Sequence, residues 1–184
     1  MFIQTEQTPN PATLKFLPGR EVMQRGVADF TTPANADASP LARRVFAVDG
    51  VTGVFFGTDF ITVTKAAGED WYALKPAVLG AIMEHYLSGD PVLEPQAQVE
   101  EEGVGDEDDE IVKQIRELID TRVRPAVAQD GGDIIFRGFE RGVVYLHMRG
   151  ACSGCPSSTI TLKNGIENLL RYYVPEVVEV RPVA

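Results

Sequence analysis

The feature that most limits how this chain can fold is an acidic stretch near its middle. The segment "GDPVLEPQAQVEEEGVGDEDDE" (89–110) is rich in Pro, Gly and carboxylates and contains few large apolar residues. Within it are ten acidic residues and no Lys or Arg. Such a stretch buries too little apolar surface to offset the entropy lost on ordering, so it predicts a flexible, extended linker. We therefore expect two small domains, 1–88 and 108–184, joined by an acidic linker at 89–107.

The linker also accounts for the formal net charge of −10. The residues before it carry nine acidic and seven basic side chains, and those after it carry eight acidic and ten basic ones. Neither flank shows the basic stripe of a nucleic-acid-binding protein, so we expect no nucleic acid partner. No apolar run approaches the ~18 residues of a membrane span, so we expect no membrane association. The N-terminal "MFIQTEQTPNPATLKF" lacks the features of a secretory signal or a transit peptide, which predicts a cytoplasmic protein.

The first domain is predicted to mix strands and helices. "MFIQTEQ" and "ATLKFLP" are typical of two short strands around a "TPNP" turn, and 50–65 is typical of a hairpin. Helices are predicted at 39–48, with Ser39 as N-cap before a proline, and at 70–89, with Gly89 as C-cap.

The second domain has a clearer pattern. A helix is predicted at 108–129, ended or kinked by Pro125. The arms "DIIFRGFE" and "RGVVYLHMRG" then predict a hairpin, 156–174 predicts a helix, and "EVVEVRP" predicts a third strand. The order α-β-β-α-β indicates an α+β fold with two helices packed on one face of a small sheet.

The only two cysteines, Cys152 and Cys155, lie between the predicted hairpin and the helix that follows, in "GACSGCPSS". The small residues around them let a ligand approach closely. The N-terminus of the helix favours the thiolate form of both sulfurs through its free N–H groups and its dipole. In a reducing compartment a CxxC pair indicates metal binding or dithiol chemistry. Three candidates stay open at this point: a thiol–disulfide redox pair, a zinc site and an iron–sulfur cluster site.

Ligand number constrains the two metal candidates. A structural zinc ion and an iron–sulfur cluster each take four protein ligands, whereas one chain offers two cysteines. His147 lies on the second strand of the predicted hairpin and not in the loop, and by alternation it faces the opposite side from Met148. We expect His85 on a helix surface of the other domain. A full set of ligands therefore comes most simply from two chains, with one loop from each copy in a symmetric dimer. Such a site would lie near solvent and be easily dismantled, which suits transfer of a cofactor better than permanent retention.

The sequence around the cysteines closely resembles the NifU C-terminal-like domain. The resemblance covers 124–177 and is carried by the DGGD turn, the G-x-C-x-G-C-P-S-S loop and the T-L-K-x-G-I-E-N helix. Residues 1–88 resemble the N-terminal domain of Nfu-type proteins in "TPNPATLKFLPG", "VFFGTDFITVTK" and "WYALKPAVLGAIMEH". The chain is thus similar to an Nfu-type iron–sulfur cluster scaffold or carrier, which is not an enzyme.

The resemblance implies that Cys152 and Cys155 bind a [4Fe–4S] cluster shared by two subunits, with [2Fe–2S] also possible. It implies a homodimer on cluster binding, apo iron–sulfur client proteins, and upstream cluster-assembly proteins as partners. The N-terminal domain, which has no cysteine, would serve as a recognition module. Eukaryotic members carry a transit peptide and none is visible here, so we expect a bacterial protein of the cytoplasm. A thioredoxin-like dithiol oxidoreductase and a zinc-bridged structural dimer remain as alternatives. The sequence lacks two features of the thioredoxin-like oxidoreductases, which are an aromatic residue before the CxxC and a βαβ unit at the start of the fold.

Further residues near the loop have expected roles. Arg124, Arg149 and Lys163 are candidates to offset the charge of a bound cluster. Gly131 and Gly132 are expected to serve a turn that needs positive φ.

Overall fold

The computed structural model describes residues 2–95, 109–152 and 156–183, and it describes the side chains of all of these except 156–159. The chain divides into two compact units, 1–100 and 101–184. The expected α+β class is confirmed. Most of the predicted linker, residues 96–107, lies outside the described residues. In the parts that are described, no helix combines the length and the apolar character needed to cross a bilayer.

The first unit is built on a five-stranded antiparallel sheet in the order β1-β2-β5-β4-β3. The strands are β1 (Gln4–Gln7), β2 (Thr13–Leu17), β3 (Ala28–Phe30), β4 (Val51–Phe56) and β5 (Ile61–Lys65). Both predicted strands and both arms of the predicted hairpin are present, whereas the sequence does not predict β3. β1 and β3 form the two edges of this sheet.

Both predicted helices of the first unit are present, with the predicted caps at the start of one and the end of the other. They are a 3-10 helix (Pro33–Ala38), α1 (Pro40–Phe46) and α2 (Trp71–Ser88). The hydroxyl of Ser39 accepts the N–H of Ala42 at 3.0 Å, as an N-cap should. Gly89 follows α2 with a φ of 77°, the left-handed conformation that ends many helices.

The core of the first unit lies where α1 and α2 pack on the sheet. α2 buries Leu74, Val78 and Ile82, and also His85, which is fully buried at 0% exposure. The expectation that His85 lies on the helix surface is therefore wrong. α2 also carries large apolar side chains on its outer side, so apolar spacing alone does not select its inner face.

The second unit places its helices against a three-stranded sheet in the order β6-β7-β8. Its elements are α3 (Glu110–Leu118), α4 (Arg124–Gln129), β6 (Gly132–Glu140), β7 (Val143–Gly150), α5 (Pro156–Tyr173) and β8 (Glu179–Val183). β6 and β7 pair antiparallel, while β8 returns parallel to β7. The core combines helix residues such as Ile115 and Leu170 with strand residues such as Ile134 and Leu146.

A π-helical turn at Ile119–Val123 joins α3 to α4. The N–H of Arg124 donates to the carbonyl of Ile119, five residues back rather than four. The cause is Pro125, which has no N–H and whose ring would collide with the carbonyl of Thr121 in a regular helix. The expected kink at Pro125 thus takes the form of one widened turn, after which the helix continues.

Candidate metal centre at the cysteine loop

Cys152 lies two residues beyond the end of the central strand β7, before α5 begins. It is 5% exposed and belongs to the apolar core of the second unit. Cys155 lies outside the described residues. The structure therefore positions one of the two predicted ligands, and the joint action of the two cysteines stays a prediction.

The sulfur of Cys152 lies directly against Gly132, the first residue of β6. A Cβ atom on Gly132 would fall 2.6 Å from Sγ of Cys152 and 2.8 Å from the carbonyl oxygen of Arg149. Both distances are far shorter than any normal contact, so this position has room for glycine only. The DGGD motif thus contains a glycine whose missing side chain makes space for the sulfur.

The two glycines of this motif have different roles. Gly131 has a φ of 80°, which confirms the expected left-handed turn. Gly132 does not have a positive φ and pairs with Gly150 in the sheet, so the expected backbone role is wrong for it. The N–H of Ala151 donates to the carbonyl of Gly131 at 3.2 Å, which holds the start of the cysteine loop against this turn.

A partly buried ion pair fixes the strand end that carries Gly132. Nε and Nη2 of Arg124 each donate to one carboxylate oxygen of Asp133, both at 3.0 Å. Asp133 is only 4% exposed. Arg124 also contacts Asp120 at 3.3 Å. Because two carboxylates already share its charge, Arg124 ties α4 to β6 and is a weaker candidate for neutralising a cluster than the sequence suggested.

The remaining candidates are distributed around the sheet. Arg149 is 3% exposed at the end of β7. Nζ of Lys163 lies 4.0 Å from the carboxylate of Glu179. His147 is half-buried, and its Nδ1 lies 3.2 Å from the carbonyl oxygen of Val183 on β8. Among the described side chains, no group of three His, Cys, Asp or Glu residues converges on one point.

The chemistry of the described part is that of a single thiol held in a fixed position. Thiolate sulfur is a soft ligand that suits zinc or iron–sulfur clusters better than hard cations. The sulfur itself occupies the space beside Gly132, so the described residues supply one soft ligand atom and leave the choice between zinc and a cluster open.

Two comparisons of the sequence decide the family. The N-terminal part, 3–89, matches the family described as "Scaffold protein Nfu/NifU N terminal", and 115–181 matches the "NifU-like domain". The human protein "NFU1 iron-sulfur cluster scaffold homolog, mitochondrial" is 54% identical over 184 residues, which cover 100% of this chain and 72% of the human protein. The chain belongs to the Nfu family of iron–sulfur cluster scaffold proteins. This Nfu protein is thus a member of a scaffold family and not of a classical enzyme family.

A second curated relative agrees with this assignment, and one solved structure also matches. The protein of the same name from Drosophila sechellia is 53% identical over 187 residues, covering 100% of the Nfu chain and 65% of the fly protein. The solution structure of a NifU-like protein from Saccharomyces cerevisiae matches with a TM-score of 0.47 and 24% identity, covering 52% of the Nfu chain and 87% of the yeast chain.

The names of these relatives correct one expectation. The human and fly proteins are both named as mitochondrial. The expected bacterial, cytoplasmic location is therefore wrong, because it relied on the missing features of a targeting sequence.

Proposed function

We propose that this Nfu chain binds a [4Fe–4S] cluster between two copies of itself, through Cys152 and Cys155, and transfers the cluster to apo-proteins. The observation that supports this most directly is the position of the Cys152 sulfur. It lies at the end of the central strand, in a space that Gly132 leaves open, within a chain of a scaffold family.

The number of ligands leads to the dimer. A cluster takes four ligands, usually cysteine, and the sequence contains two cysteines in all. Two copies of the loop supply four sulfurs without any histidine. His147 is held near the carbonyl of Val183 on the neighbouring strand, which supports leaving it out of the ligand set.

Burial of Cys152 has a consequence for loading. A thiol that is 5% exposed reacts slowly with oxidants, so the cluster-free chain keeps this ligand reduced. Loading then requires the sulfur of Cys152 to leave the space beside Gly132, while the pair of Arg124 with Asp133 holds the start of β6 in place.

The rest of the chain serves delivery in this proposal. The domain 1–88 contains no cysteine and recognises partners, which include apo client proteins and upstream cluster-assembly proteins. The acidic linker at 89–107 tethers this domain to the cluster-binding domain at 108–184. A flexible tether raises the effective concentration of a recognised client near the cluster without fixing its orientation.

The test is anaerobic reconstitution with iron and sulfide, read by visible absorption, iron and sulfide analysis, and native mass. Wild type and His147→Gln should each bind one four-iron cluster per two chains. Cys152→Ser and Cys155→Ser should each lose the cluster and the dimer. A cluster bound by a single chain, or loading that survives either cysteine substitution, would contradict the proposal. Zinc in place of iron would favour the structural dimer, and a cycling disulfide without iron would favour the oxidoreductase.

A further inference from the structure

A groove in the first unit lies between strand β1 and the start of helix α2. Its volume is about 580 Å³. It is lined by Thr5 and Gln7 of β1, by the turn at 8–11 with Thr13 and Leu14 of β2, and by Trp71, Tyr72 and Lys75 of α2. The volume falls within the range of roughly 300–1,000 Å³ that is usual for ligand sites. A few residues of peptide fit into such a space.

One wall of the groove is a sheet edge. Among the described strands, β1 pairs with β2 alone. Every second residue of an edge strand directs its N–H and C=O away from the sheet. The sequence of β1, QTEQ, contains no proline or lysine, and its one charged residue, Glu6, pairs with Lys15 of β2 at 3.7 Å. An open edge beside a helix is the arrangement that takes up an extended peptide as an added strand.

The helix wall is rigid at its base and exposed at its mouth. Nε1 of Trp71 donates to the carbonyl of Pro11 at 3.2 Å, and the indole packs edge-on against Phe16 with centroids 6.4 Å apart. Tyr72 is 91% exposed, so its ring is available to a partner. A wall that is already ordered loses little conformational entropy on binding.

The charge of the groove selects the partner. None of the lining residues is acidic, although the chain has a net charge of −10. Lys75 is the one cation in the lining, is half-buried, and makes no ion pair with any described residue. A carboxylate from a partner would complement this ammonium group, whereas a basic partner would be repelled.

We propose that this groove binds an extended acidic peptide of a partner protein by strand addition to β1. One carboxylate of the peptide faces Lys75 and one large apolar side chain faces Tyr72. Because side chains of a strand alternate between faces, these two peptide residues are separated by two positions. The proposal concerns the first unit and does not depend on cluster binding.

The test begins with selection of random heptapeptides on the full chain after treatment with a chelator. Selected peptides should be enriched in Asp or Glu two positions from a large apolar residue. The strongest of them is then synthesised, and its affinity is measured by fluorescence anisotropy. Tyr72→Ala and Lys75→Gln should each weaken binding at least about tenfold, as substitution of central contacts does. Methylation of alternate peptide amides should weaken binding similarly, because it removes the strand hydrogen bonds.

Two matched controls separate this surface from general effects. Leu87→Ala removes an apolar side chain of 82% exposure from the far end of the same helix. Lys65→Gln removes a cation that does not line the groove. Both variants should bind the peptide within about twofold of wild type.

Several results would overturn the proposal. The selection would contradict it if the peptides showed no enrichment of Asp or Glu, or were enriched in basic residues. The affinity measurement would contradict it if neither Tyr72→Ala nor Lys75→Gln weakened binding. A cluster-free dimer that Tyr72→Ala dissociates would instead make a second copy the occupant. Peptide binding that appears only after Glu100, Glu101 and Glu102 are changed to Gln would make the acidic segment of this chain the occupant. Peptide binding by a chain that takes up no cluster would leave this inference standing and refute the proposed function.

Discussion

Replacing Gly132 with Ala tests whether the space beside Cys152 is needed by its sulfur. The added methyl group would lie 2.6 Å from Sγ of Cys152 and 2.8 Å from the carbonyl of Arg149. The second atom belongs to the backbone of β7 and cannot rotate away. Either the cysteine loop or the pairing of β6 with β7 must therefore shift.

The expected cost follows from two opposing effects. Overpacking of a well-packed core typically costs about 1–3 kcal/mol. Loss of flexibility in the unfolded chain returns about 0.4–1 kcal/mol when glycine becomes alanine. At the midpoints of these ranges the net loss from the free energy of unfolding of the second unit is about 1.3 kcal/mol, and the largest is about 2.6 kcal/mol. With a urea dependence of about 1 kcal/mol/M for a unit of this size, the urea midpoint falls by about 1.3 M.

The same strand provides a matched control. Gly138 also lies in β6, but a Cβ there would meet no atom within 4 Å. Gly138→Ala should leave stability unchanged or raise it by up to about 1 kcal/mol, because glycine weakens a strand interior.

Hydrogen–deuterium exchange of β6 and β7 in increasing urea measures the stability of the second unit. The fluorescence of Trp71, the single tryptophan, reports the first unit as an internal reference. Cluster loading of each variant is measured in parallel, without urea. We expect Gly132→Ala to lower both protection and loading, and Gly138→Ala to lower neither. Equal behaviour of the two variants would refute the assignment of this space to the sulfur.

Two further predictions concern buried polar groups. Burial, and then the charge of Arg44, lower the pKa of His85, while Asp90 offsets part of this shift. Below pH about 6.5 the imidazole of His85 binds a proton more readily in the unfolded chain than in the folded one. Acidification should therefore lower the stability of the first unit, and His85 contributes at most about 1.4 kcal/mol per pH unit to this loss. His85→Leu should reduce this loss of stability between pH 7.5 and pH 5, measured in urea titrations followed by Trp71 fluorescence. An identical loss in wild type and in His85→Leu would contradict the prediction. Asp133→Asn should destabilise the second unit by about 2 kcal/mol in exchange measurements, because it removes a charged partner of Arg124; a change below about 0.5 kcal/mol would count against the ion pair.

Local chemistry made several boundaries predictable from the sequence. Ser39 begins α1 and Gly89 ends α2 because an N-cap hydroxyl and a left-handed glycine act within a few residues of the chain. The 3-10 helix and β3 were not predicted, because they are short and have no apolar repeat, and because long-range pairing with β4 stabilises β3. Such pairing leaves no local signal in the sequence.

The cysteine site likewise has one feature that the sequence predicts and one that depends on the three-dimensional fold. The spacing of Cys152 and Cys155 indicates a ligand pair without any knowledge of the fold. The contact between Gly132 and Cys152 could not be predicted, because it joins the start of one strand to the loop after the next through the register of the sheet. His85 was misplaced for a related reason: an α-helix with apolar residues all round gives no indication of which side is buried.

The π turn at Ile119–Val123 makes the length of this helix as important as its composition. A π turn holds one residue more than an α turn, so the helix beyond it keeps its orientation although the chain contains one additional residue. Removal of one residue between Ile119 and Val123 would use up the widened turn, and the ring of Pro125 would then collide with the carbonyl four residues back. The additional residue therefore lets the helix accommodate Pro125 while Arg124 still faces Asp133.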